Sequence, residues 1–79
     1  MAMNGLPINA GDLYRIRKVH RLSMAQMAAL LDISATYINQ LEKNREPITD
    51  NVKTKLIDRF DLTVEKLQEI RDTYEKFTI

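Results

Sequence analysis

The stretch DISATYINQLEKN, Asp32 to Asn44, decides how the rest of the chain is read. Ser34 stands where a helix N-cap belongs, because its hydroxyl can accept a backbone N–H from the first turn. A helix over about residues 35–43 follows, with Ile38 and Leu41 as an inward pair three residues apart. The other side chains that face outward, Ala35, Thr36, Asn39 and Gln40, are small or polar, and no lysine or arginine lies between Asp32 and Glu42. Asn44 tolerates the left-handed conformation that closes a helix, and Pro47 blocks its continuation.

Directly upstream, Ser23 and Gln26 have the spacing of a capping box, which predicts a helix over about 24–31. Met27, Leu30 and Leu31 are its expected inward residues, and the small Ala28 lets a neighbouring helix approach closely. Only Asp32, Ile33 and Ser34 separate the two helices. Two short helices joined by so tight a turn, the second carrying uncharged hydrogen-bonding side chains, form the helix-turn-helix pattern that enters the major groove of DNA.

The flanks extend the helical reading. Asn9 caps a first helix running to about Arg21, with Leu13, Ile16 and Val19 inward and Arg15 and Lys18 outward. Residues 1–8, with Gly5 and Pro7, read as an irregular arm whose Ile8 tucks onto the core. Thr49 or Asp50 caps a fourth helix with Val52, Leu56, Ile57 and Phe60 inward; Leu62 then docks and Thr63 caps a fifth. Along that helix Leu67, Ile70, Tyr74 and Phe77 form a narrow apolar seam. The expected architecture is an all-α, compact five-helix domain over residues 9–67, with 68–79 as an extension of helix 5. Packing on the chain's own core suits Leu67 and Ile70. For Tyr74 and Phe77, one to two turns further on, an intermolecular contact is expected, so Ile70, Tyr74 and Phe77 form a candidate dimer or partner seam.

Composition sets the outer bounds. Seventy-nine residues suffice for one small domain, and the absence of cysteine excludes disulfides and thiolate metal sites. With His20 as the single histidine, and that residue best read as a solvated side chain, no metal site and no cofactor are expected. The acidic residues are scattered at ion-pair spacings, no glycine-rich phosphate loop occurs, and no nucleophile has a histidine neighbour, so no catalytic group is expected. The longest apolar run, Met27 to Leu31, is far short of the roughly 20 residues of a membrane span, and a cytoplasmic protein is expected. Net charge is only +1, but unevenly spread: residues 1–31 hold Arg15, Arg17, Lys18 and Arg21 against Asp12 alone.

The run LYRIRKVHRLSMAQMAALLDISATYINQLEKNREP, followed by LIDRFDLTVEKL, resembles the Cro-like and phage-repressor helix-turn-helix family, the XRE-type domain with a lambda-repressor-like fold. The resemblance covers about residues 13–67. It implies an interior ion pair between Arg17 and Glu42. It also implies DNA-facing roles for Ser34, Ala35, Thr36, Asn39 and Gln40, with Lys43 and Arg45 near the phosphate backbone. Ser23 and Ser34, with the first backbone N–H groups of their helices, suit phosphate oxygens. For Tyr37, a packing role and a contact role both stand. The chain departs from the family pattern at Met24, where a phosphate-contacting glutamine is common, and at Ala35, where arginine or glutamine is frequent. Asp32 and Asn44 replace expected glycines.

The function that the resemblance implies is a small phage-type regulator acting by occupancy in a Cro-like manner. It would bind a pseudo-palindromic operator in double-stranded DNA as a homodimer. The near-neutral charge and the residues at 24 and 35 keep a second function open: an antirepressor that grips a phage repressor protein through the same fold. An antitoxin role is a third.

Overall fold

The computed structural model describes residues 6–78, with side chains described to residue 76; Phe77 of the seam therefore lies outside the described side chains. Five helices follow one another: α1 (Ala10–Val19), α2 (Met24–Leu31), α3 (Ala35–Glu42), α4 (Asp50–Phe60) and α5 (Val64–Thr78), with no strand among the described residues. Local signals set their starts. The side chains of Asn9, Ser23, Ser34 and Thr49 each accept a first-turn backbone N–H of α1 to α4, and Thr63 does the same for Lys66 in α5.

The ends of α1 to α4 share one device. Leu22 N–H donates to Arg17 O and Arg21 N–H to Lys18 O; Ile33 donates to Ala28 O and Asp32 to Ala29 O. Arg45 donates to Gln40 O and Asn44 to Leu41 O, and Leu62 donates to Ile57 O. This crossed closure satisfies the last carbonyls of a helix and needs a left-handed residue at the crossing. Arg21, Asp32, Asn44 and Asp61 take that role, with φ of 55°, 56°, 59° and 52°. The closure at Arg21 stops α1 at Val19, two residues before the expected end. Helix α3 likewise ends at Glu42 with Lys43 as its cap, one residue early.

The core gathers one stripe from each helix: Leu13 and Ile16, Met27, Ala28 and Leu31, Ile38 and Leu41, Val52, Leu56, Ile57 and Phe60, Leu67 and Ile70. Leu6, Ile8 and Leu62 close it from the connecting segments. Leu30 corrects the sequence reading, because it is 40% exposed rather than inward. On α2 the stripe runs through positions 27, 28 and 31, and Leu30 points about 100° away from its centre. The small Ala28 takes the inward place on a helix that packs against both α3 and α4.

Two buried carboxylate–arginine clusters fasten the helices. Glu42 accepts from Arg17 Nε at 2.7 Å and Nη2 at 3.0 Å, and the remaining arginine nitrogen donates to Leu22 O at 3.1 Å. The two side chains are 10% and 5% exposed. At the opposite end, Asp12 is fully buried. Its carboxylate accepts from Arg71 at 2.8 and 2.7 Å, from Arg15 at 3.2 Å and from Asn9 N–H at 3.1 Å. Arg71 also donates to Pro7 O at 3.0 Å, so one guanidinium ties α5 to both α1 and the arm. Within the chain, the half-buried Tyr74 lies edge-on against Tyr14, with ring centres 5.9 Å apart. The extra turns of α5 bring its ring back over α1, where an aromatic partner waits.

Burial pushes the Asp12 carboxyl up, but the Arg71 hydrogen bonds, the Asn9 N–H and the charges of Arg71 and Arg15 outweigh it, holding the group below its ordinary 3.8. A depressed carboxylate contributes stability that is present in full above the unfolded value near 3.8 and is lost as pH falls through the lower folded value. In urea unfolding, the stability gap between the parent and Asp12→Asn should therefore narrow as pH falls below 3.8; a constant gap through that range contradicts this. Glu42→Ala strands the Arg17 charge and should cost about 3–5 kcal/mol, a large share of the roughly 4–12 kcal/mol available to a domain of this size. A melting temperature within a few degrees of the parent would contradict the pair's role.

Candidate nucleic-acid interface

The turn Asp32–Ser34 projects α3 from α2, and Ile38 and Leu41, both fully buried, fix its rotation. With those two inward, Thr36, Asn39, Gln40 and Lys43 share one face at i, i+3, i+4 and i+7. Ser34, Ala35, Thr36 and Lys43 are exposed; Asn39 and Gln40 are half-buried at the face's edges. Tyr37 is half-buried and packs against the core, so its body serves packing whatever its hydroxyl meets. Arg45 follows the left-handed Asn44 and is exposed.

Both helices present an N-terminus with a capping serine. Ser23 Oγ accepts from Gln26 N–H at 3.0 Å while Gln26 Oε1 accepts from Ser23 N–H at 2.8 Å, and Ser34 Oγ accepts from Tyr37 N–H at 3.0 Å. Each hydroxyl proton is left to donate outward. The N–H groups of Met24 and Ala25, and of Ala35 and Thr36, precede the first intrahelical bonds, made by Met27 and Ile38. These donors lie at the positive ends of α2 and α3 and suit anionic oxygens. The Met24 side chain packs partly on the core and adds nothing to them.

Charge on this surface is sparse. Glu42, the one ionised group within α3, is held by Arg17, whose own pKa is raised by the Glu42 hydrogen bond against the opposing effect of burial. That pair is structural and leaves Lys43, at the end of the outward face, and Arg45 beyond it as the nearby cations. Asp12, Arg71, Tyr14 and the left-handed Arg21 are features that sequence reasoning missed. For Asp12 a signal existed, since Asn9 and Asp12 have capping-box spacing and close such a box here. For Arg71, 59 residues from its partner, there was none.

The described residues hold no cluster of side chains suited to a metal ion, and no helix long and apolar enough to cross a membrane. No solved structure matches the chain significantly. Among characterised proteins, the HTH-type transcriptional regulator PrpR of Mycobacterium tuberculosis (strain ATCC 25618 / H37Rv) is 42% identical over 53 residues. That match covers 67% of this chain but 11% of PrpR. A helix-turn-helix family model matches residues 13–67, which spans α2, the turn and α3 together with most of the supporting core. By that match and by its five-helix architecture, the chain belongs to the helix-turn-helix family.

Proposed function

We propose that this protein is a DNA-binding transcription regulator that places α3 in the major groove of an operator. The observation that carries the reading is the outward face of Thr36, Asn39, Gln40 and Lys43 on α3, the second of two serine-capped helices joined by a tight turn. Asn39 and Gln40 can each form a bidentate pair with adenine, and Ala35 and the Thr36 methyl can pack on a thymine methyl. Ser23 and Ser34, with the adjacent N–H groups, hold phosphates on either side, and Lys43 and Arg45 add charge to the backbone contact. The name of the similar PrpR, a transcriptional regulator, supports the same reading.

The finer form of the proposal is a phage-type repressor acting by occupancy in a Cro-like manner, with two copies on a pseudo-palindromic operator. Half-sites would then lie one helical turn, about 34–36 Å, apart. So few cations release few counterions, so base contacts and the pairing of two protomers must supply much of the affinity.

Selection from a random-sequence duplex pool followed by gel shift tests this. The expected outcome is an enriched site bound by the parent. Asn39→Ala or Gln40→Ala should lose about 1–3 kcal/mol on that site while binding unrelated duplex unchanged. Lys43→Ala should weaken both classes alike. No enriched sequence and no retardation contradict the reading; release of a phage repressor from its operator by this protein would then favour docking on a protein.

A further inference from the structure

The carbonyl of Leu30 lies at the C-terminal end of α2, where the intrahelical ladder runs out. The closure of that helix takes the two carbonyls before it: Ile33 N–H donates to Ala28 O and Asp32 N–H to Ala29 O. Leu30 O is bound from another helix. Arg59 of α4, 29 residues on, donates to it from Nε at 2.9 Å, and the Asp58 carboxylate pairs with the same guanidinium. A cation suits the negative end of a helix dipole, and a charged donor makes a stronger bond than a neutral one.

The place of this bond gives it a further consequence. Leu31 is the last residue of α2, and the turn Asp32–Ser34 that projects α3 follows at once. The far end of α3 is fastened by Arg17 through Glu42. Its near end is held through the turn, where Ser34 caps α3 from within its own segment and Ile33 is only partly buried. Arg59 ties the backbone just before that turn to α4, which Val52, Leu56, Ile57 and Phe60 anchor in the core. The Arg59 side chain is 43% exposed, so the contact supplies direction more than burial.

We propose that Arg59 is a positioning residue for base reading: by gripping Leu30 O it holds the turn, and with it the start of α3, at the angle that the base contacts need. This rests on the DNA-binding reading above and adds to it a residue that touches no DNA. Base contacts are lost by small misplacements of the reading side chains, whereas non-specific binding depends on charge. Arg59 therefore governs selectivity and not general affinity.

The test compares the parent, Arg59→Met and Arg59→Lys for binding to a selected duplex and to an unrelated one between about 50 and 200 mM salt, with amide exchange followed at Asp32 and Ile33. Methionine keeps the apolar stem and removes the donor; lysine keeps a charged donor. Arg59→Met should lower the ratio of selected to unrelated affinity about 3- to 10-fold, the range of one net hydrogen bond. It should also speed exchange at the two turn amides and keep the parent's log–log salt slope on the unrelated duplex. Arg59→Lys should recover most of the ratio. Partial unfolding reduces the active fraction for both duplexes alike, so a merely structural role leaves the ratio unchanged. An unchanged ratio, or unchanged exchange at the turn, overturns the assignment alone. Equal weakening on both duplexes with a slope shallower by about 0.9 marks a phosphate contact and also overturns it. A parent that prefers no sequence overturns the assignment and the DNA-binding reading together.

Discussion

The bidentate pair between Arg17 and Glu42 is the interaction on which the geometry of the helix-turn-helix depends. It joins the last turn of α1 to the last turn of α3, and through Leu22 O it also fixes the turn that leads into α2. Apolar packing of Ile38 and Leu41 sets which face of α3 is buried, but packing is not directional enough to set where the helix end lies. A charge-assisted, two-point hydrogen bond is. Burying such a pair yields little net stability over an apolar alternative, so its contribution lies in orientation. It also occupies the Arg17 cation, so the exposed face of α3 holds Lys43 as its one charged group.

Asp12 plays the corresponding part at the other end of the molecule. It caps the start of α1, binds Arg71 from α5 and, through that arginine, holds the carbonyl of Pro7. The contact of Tyr14 with Tyr74 extends the same α1–α5 junction. The polar clusters thus bracket the core, one orienting the helix-turn-helix and the other securing the arm and the last helix.

How much of this the sequence discloses follows from the range of each interaction. Caps at Asn9, Ser23 and Ser34 are local, with donor and acceptor three residues apart, and they were legible as spacing. The inward residues of α1, α4 and the first half of α5 were legible as periodicity. Leu30 was misread because α2 has apolar or alanine side chains almost all round, so periodicity does not pick a face; contact with two other helices does. The end of α1 was misread because arginine gives no turn signal, although the backbone closes there as it does at Asp32. The Arg71–Asp12 contact depends on the folded chain bringing distant segments together. At the candidate interface, the exposure of Ala35, Thr36 and Lys43 followed from the inward pair at Ile38 and Leu41. The half-burial of Tyr37 needed the packed core.

The functional account makes α3 a sequence reader with little charge of its own, carried on helix ends that supply the phosphate contacts. Amide chemical-shift mapping on the assigned, folded protein, titrated with a selected duplex, tests that claim most directly. The account predicts changes concentrated at Ser34–Lys43 and at the start of α2 around Ser23–Ala25, with α5 and the Asp12–Arg71 junction little affected. Changes confined to α4 and α5, with α3 unperturbed, would contradict it.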